Sequence, residues 1–255
     1  MHARSARLLR LPLVALLLLS TAMASAAPSL SDLRWMTEEY APINFSNQDG
    51  VATGISVDML QAMMAHLGQP FDPAGVQVLP WARGYRIVQE QPNSCLFATT
   101  VTESRLELFR FISPLVENRV SVIAPRAAGR VIDSPEALTQ LSIGVVREDI
   151  GELLLHEAGI DGNLVRVDSA RALVRMLAAG RFDAIAYSFL VTSWAMLEND
   201  IDPGDFESIH VLQEGVMGFS CHPETAPELL QSLQQALDTV NENGTAATIR
   251  GRYSR

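Results

Sequence analysis

The chain has 255 residues, 48% of them hydrophobic, and carries 19 basic against 29 acidic side chains for a net charge of −10. Every basic residue is Arg. Such a balance excludes nucleic acid as a partner, because that affinity rests on clustered cations. Five scattered His, two Cys, no CxxC and no HExxH give no support to a metal site, and no cofactor is expected.

The N-terminus reads as an export signal. His2, Arg4, Arg7 and Arg10 form a basic start, Leu11 to Leu19 is apolar apart from Pro12, and Ala24-Ser25-Ala26 fits the small-x-small cleavage rule. The apolar run is too short to span about 30 Å of hydrocarbon, which takes about 20 residues. No Cys follows it that could carry a lipid. Cleavage after Ala26 leaves 255 − 26 = 229 residues, with 19 − 3 = 16 cations against 29 acids. The mature chain is expected in the periplasm, as a soluble protein of two modest domains or one large one. Cys95 and Cys221 sit in apolar, strand-like stretches. There they either pair, as an oxidising compartment permits, or act as small hydrophobes.

Strand-like and helix-like segments alternate along the mature chain. Asp32 to Thr37 reads as a strand. Val57, Leu60, Met63, Met64 and Leu67 recur at helical spacing before Gly68. Val76 to Leu79 is a short strand, Ala82 to Gln89 a helix, Ser94 to Val101 a strong strand and Val120 to Ala124 another. Ser134-Pro135-Glu136 has the form of a capped helix start. Ser142 to Val146 is a strand followed by a helix through Leu155. Leu164 to Val167 is a strand, Ser169 to Ala179 a helix ending at Gly180, and Asp183 to Tyr187 a strand. Ile209 to Leu212 and Val216 to Ser220 read as two further strands. Thr225-Ala226-Pro227-Glu228 has capping-box spacing, and the apolar stripe behind it runs from Leu229 to Val240. The alternation predicts an α/β fold with mostly parallel sheets.

Several stretches together resemble the bacterial extracellular solute-binding proteins, family 3, the binding proteins of polar-amino-acid-type ABC transporters. They are Glu39 to Phe45 with Gly54 to Leu60; Pro80 to Arg83; Thr99 to Arg105 with Phe109 and Ser113-Pro114; Ile143 to Gly151; Gly180 to Ala184; and Asn243-Gly244 with Ile249 and Tyr253. Their order across Asp32 to Tyr253 carries the resemblance. It implies a two-lobed periplasmic-binding-protein fold of type II, two α/β lobes joined by two crossing strands. Lobe one is then 27–119 plus 218–255, and lobe two 120–217.

The same resemblance places the ligand residues. Arg105 falls where family members hold a ligand carboxylate, a task that suits the planar fork of a guanidinium. Without the resemblance it reads as a surface Arg beside Glu103 and Glu107. Thr100 and Thr102 could add donors to the same anion. Tyr40 and Trp81 match aromatic walls, and Arg83 either supplies a second cation or faces solvent. In lobe two, Arg147 to Gly151 ends a strand and begins a helix, whose free N–H groups can receive an anion. Glu148 and Asp149 oppose this unless they face outward. Ser188 stands about where amino-acid binders place an acid for the α-ammonium. An unpartnered buried ammonium is costly, so the expected ligand is a small polar, carboxylate-bearing solute without an α-amine.

The expected function is capture of that solute by a monomer, with hinge closure and delivery to the permease of an ABC importer. A signalling receptor is the alternative partner. A dehydratase-type enzyme on this fold is a further alternative, with Glu38, Glu39 and His66 as the available acid–base groups.

Overall fold

A computed structural model describes residues 28–253; the expected export segment, Met1 to Ala26, lies outside the described residues. Strands β1 (Arg34–Thr37), β4 (Gln77–Val78), β5 (Ser94–Thr100), β6 (Arg110–Pro125), β7 (Ile143–Val146), β8 (Leu164–Val167), β9 (Ala184–Ser188) and β10 (Phe206–Cys221) form one hydrogen-bonded series. Their order is β4-β1-β5-β10-β6-β9-β7-β8. A small hairpin, β2 (Phe45–Ser46) with β3 (Ala52–Thr53), stands apart. The β4-β1-β5 and β8-β7-β9 groups are parallel, as alternation with helices predicts, while every pairing to β6 or β10 from a neighbouring strand is antiparallel.

The two lobes follow from two strands of unusual length. β6 and β10 each run 16 residues and pair with each other along their length, from Phe206 opposite Pro125 to Cys221 opposite Arg110. They change outer neighbours part-way. β10 pairs with β5 from Met217 to Cys221, and β6 pairs with β9 from Val120 to Ile123. Between these stretches the ladder crosses from one lobe to the other with exposed side chains, including the Arg119–Glu214 ion pair at 3.5 Å. This corrects the shorter strands read from apolar runs. Val120 to Ala124 is the end of β6, and the two segments after Ile209 are one strand. Apolar patterning stops where the strands are solvated, but their hydrogen bonds continue.

The eight α-helices are α1 (Ile55–His66), α2 (Trp81–Glu90), α3 (Glu103–Leu108), α4 (Ile150–Glu157), α5 (Ala170–Ala178), α6 (Phe189–Leu197), α7 (Pro227–Glu242) and α8 (Thr245–Arg252), counted among the described residues. Each amphipathic stripe read from the sequence faces a core. Met59, Leu60 and Met63 of α1 join Leu233 and Leu237 of α7 with Phe97 and Phe219 in one lobe. In the other lobe Val145, Leu155 and Ala186 share a cluster with Val122. Gly54, just before α1, has φ of 111°, and a Cβ there would lie 2.7 Å from the Ile43 carbonyl oxygen. Only glycine fits this approach of backbone to backbone.

Two expected helix starts differ. Ser134-Pro135-Glu136 opens a 3-10 helix, Pro135–Gln140, and not an α-helix. α7 is capped at Ala226 without a side-chain bond, and the Thr225 hydroxyl is buried without a partner. Cys95 and Cys221 form a disulfide, with Cα atoms 4.1 Å apart at register-paired positions of β5 and β10. No helix among the described residues is long and apolar enough to cross a membrane.

Candidate functional site

The charged groups converge where the lobe of β1, β4 and β5 meets the lobe of β7, β8 and β9. Arg105 lies in the first turn of α3, whose N-cap Thr102 accepts from the Arg105 backbone N–H at 3.2 Å. Its side chain is only 1% exposed, which rules out surface pairing with the exposed Glu103 or Glu107. The guanidinium carbon lies 5.3 Å from the Trp81 ring centroid and 5.5 Å from that of Tyr85. At such distances a cation is attracted by the aromatic quadrupole. Nη1 donates to the Thr100 carbonyl at 3.2 Å, while Nε is buried without a partner.

Two acids, one from each lobe, feel the charge of this cation. Glu38 directly follows β1. Asp149 is the N-cap of α4, where its Oδ1 accepts from the Ile150 N–H at 2.6 Å and its Oδ2 is buried without a partner. Burial pushes the Glu38 carboxyl well above the usual carboxylate range; Asp149 adds to this by repulsion and Arg105 partly offsets it. Burial also raises Asp149, against the pull of Arg105 and the Ile150 N–H. Tyr40 and Tyr187 meet edge-on with centroids 5.4 Å apart, at 72°. Burial raises both phenols, reinforced by the charges of Glu38 and Asp149. Ser188, fully buried at the N-cap of α6, lies beside the Tyr40 hydroxyl.

The lobes touch around this cluster. The Trp81 indole N–H donates to the Glu148 carbonyl at 2.8 Å, and Glu148 adopts the left-handed conformation, φ 58°. Ser104 Oγ donates to Glu157 at 3.1 Å, and the rings of Phe45 and Trp194 lie 6.5 Å apart. A cavity of about 390 Å³ adjoins Arg105, bounded by Tyr85, Glu148, Glu152, His156 and Arg166 among others.

The model of the bacterial extracellular solute-binding proteins, family 3, matches residues 33–255. The chain belongs to this family. No curated protein matches it. Among solved structures, a histidine kinase sensor domain with similarity to periplasmic binding proteins is 19% identical with a TM-score of 0.76, over 87% of this chain and 95% of that one. An ancestral arginine-binding protein bound to arginine is 20% identical with a TM-score of 0.72, over 88% and 98%. A substrate-binding protein of an ABC uptake transporter from Streptococcus pneumoniae, with bound histidine, is 13% identical with a TM-score of 0.75, over 88% and 92%. At these identities the likeness is one of fold, the two-lobed periplasmic-binding-protein fold.

Within this solute-binding protein, Trp81 lies against Arg105, and Ser188 lies beside Tyr40. The other expected residues are placed differently. Thr100 is engaged through its hydroxyl, which accepts from Asn118 at 3.0 Å, and Thr102 is occupied as a helix cap. Arg83 faces solvent, because α2 buries Trp81, Gly84 and Val88 on its other side. Arg147 is exposed and paired with Asp168 at 3.4 Å, outside the cluster. The direction of Asp149, left open by the sequence, is inward: its side chain caps α4. Tyr85, Tyr187 and Asp149 are additional members. Tyr85 has a legible signal, one helical turn after Trp81 on the same face. His66 is exposed at the end of α1, and Glu39 is turned away, accepting from the Ser46 N–H at 3.1 Å.

Gly151 serves packing and offers no anion cradle. A Cβ there would lie 2.0 Å from the Ala186 carbonyl oxygen, so the first turn of α4 rests directly on β9. Gly151→Ala is expected to displace that turn, with Asp149 on it, at a stability cost of about 1–3 kcal/mol or more, as for overpacked cores. Urea unfolding measures this; a stability within 0.5 kcal/mol of the parent, as for about neutral surface changes, would contradict the packing role.

Proposed function

We propose that this protein is a periplasmic binding protein that encloses a small amino-acid-like solute between its lobes and hands it to an ABC-type importer. One observation carries the reading. Arg105 Nε and Asp149 Oδ2 come from opposite lobes, are of opposite charge, and are both buried without a partner. A solute with a carboxylate and an ammonium satisfies both at once, through charge-assisted hydrogen bonds. This revises the expectation built on Ser188: the acid absent at that position is supplied from the start of α4.

In this reading the lobes are 27–119 with 218–255, and 120–217, and they close as a monomer about the crossing segments of β6 and β10. The protein binds and does not catalyse. Because Glu38 and Asp149 have the lifted pKa of general acids, turnover of prephenate or arogenate is the direct check, and conversion of either would overturn the binding reading. The likeness to a kinase sensor domain supports a second reading in which the closed form engages a signalling receptor. Permease and ATPase genes beside this one support delivery; a kinase or cyclase gene supports signalling.

A thermal-shift panel of amino acids, dicarboxylates and simple amines tests the solute class. A ligand at 100 times its dissociation constant stabilises by about 2.7 kcal/mol. Amino acids are expected to raise the melting temperature. Stabilisation by dicarboxylates alone would overturn the assignment, since Asp149 would repel the second carboxylate.

A further inference from the structure

We infer that Trp81 is a positioning residue, a latch between the lobes that sets how long an enclosed solute is held. This role rests on the binding reading above and deepens it. Trp81 opens α2 in one lobe and is 4% exposed. Its ring centroid lies 5.3 Å from the Arg105 guanidinium carbon, and its indole N–H donates to the Glu148 carbonyl of the other lobe at 2.8 Å. Glu148 immediately precedes Asp149. One side chain thus joins the proposed anion fork to the backbone that carries the proposed ammonium partner.

The acceptor is held ready by its own lobe. Glu148 has φ of 58°, and its carbonyl points to Trp81. Its N–H donates to Glu152 Oε2 at 2.7 Å, and Glu152 pairs in turn with Arg166. Asp149 caps α4, and Gly151 lets the first turn of that helix rest on β9, so turning the carbonyl away disturbs the helix start. Other contacts between the lobes differ in kind. The Ser104–Glu157 hydrogen bond is solvent-exposed, where water competes for it. Tyr40 against Tyr187 and Phe45 against Trp194 are ring contacts, with centroids 5.4 Å and 6.5 Å apart. The Trp81 bond is directional and joins a buried side chain to a backbone acceptor.

Both partners in this bond are protein groups, so it favours the closed arrangement by the same factor whichever solute is enclosed. Release waits for the lobes to part. Losing the bond therefore speeds release uniformly, by about two- to tenfold for one hydrogen bond. An aromatic wall, the role that the resemblance implies for Trp81, gives a different pattern, because its contribution depends on the shape of the solute.

Stopped-flow release of L-arginine, L-glutamine and L-histidine from the mature protein tests this, with urea unfolding as the check on folding. Trp81→Phe keeps a ring beside Arg105 but has no N–H, and is expected to speed release of each bound probe by the same factor. Glu148→Gly and Glu148→Val both lack the carboxylate, but glycine adopts the left-handed conformation freely and valine resists it. Release from Glu148→Val is therefore expected to be at least about twofold faster than from Glu148→Gly. Trp81→Phe combined with Glu148→Val should be no faster than the stronger single change, since both remove one bond. Without solute, spin labels on Glu90→Cys and Ala158→Cys, exposed positions of opposite lobes, are expected to show a smaller closed fraction once Trp81→Phe is added. Unchanged release from Trp81→Phe, or fully multiplicative effects in the double variant, would overturn the latch. Release that quickens for one probe and not for the others would make Trp81 a wall instead. Binding of none of the probes at millimolar concentration would overturn the amino-acid reading; the latch is then decided by the spin labels, where equal closed fractions with and without Trp81→Phe overturn it.

Discussion

Arg105→Ala is expected to weaken solute binding by roughly 2–5 kcal/mol, a loss of about thirty-fold to several thousand-fold, as when one partner of a buried charge pair is truncated. The expectation follows from its surroundings. Arg105 is the cation whose charge pulls on both Glu38 and Asp149, and its guanidinium lies beside the Trp81 and Tyr85 rings with one N–H already spent on the Thr100 carbonyl. Nε remains for a ligand. Removing the side chain takes away the carboxylate's partner and the positive charge that pulls on Glu38 and Asp149, so both carboxyls are expected to rise further. Arg105→Lys keeps the charge but not the planar fork, and is expected to recover only part of the affinity. A side chain this buried also supports the fold, so calorimetry on the variant is paired with urea unfolding. Unchanged affinity for an amino acid that binds the parent protein would remove Arg105 from the site.

Breaking the disulfide is expected to cost about 3–5 kcal/mol of stability. Cys95 and Cys221 are 126 positions apart, and closing a loop of that length removes much of the unfolded chain's freedom. The closed loop contains the whole of β6 to β9, so the bond fastens β5 to the returning end of β10 and holds both crossing strands in register. Cys95→Ser with Cys221→Ser should therefore unfold at clearly lower urea, with ligand affinity preserved under conditions where the variant remains folded. Equal midpoints for the double variant and the oxidised parent would show that the sheet holds the junction without the bond.

The sequence was informative where local physics decides the outcome. α1 and α7 were legible from apolar spacing, because each has one face to bury. β8 was found at Leu164–Val167 as read, and α5 with Ser169 as its cap, whose hydroxyl accepts from the Ala172 N–H at 3.2 Å. The short helices α3 and α6 were not read as such. α3 buries only Arg105, so it has no apolar stripe, and α6 is apolar nearly all round, so periodicity does not mark it.

By itself, the sequence determined the α/β class and the family, because ordered motifs along a chain encode a topology. Tertiary structure alone decided the charge of the site. Whether Arg147 or Asp149 turns inward depends on how α4 starts. Gly151 lets that turn sit against β9, Glu148 takes a left-handed conformation that brings its carbonyl to Trp81, and Asp149 must then fold back to cap Ile150. Neighbours in sequence thus face opposite ways, Arg147 to solvent and Asp149 into the cluster. A sequence records the charges of a loop, but the direction each side chain takes is set by backbone geometry and by close contacts with strands far away in the chain.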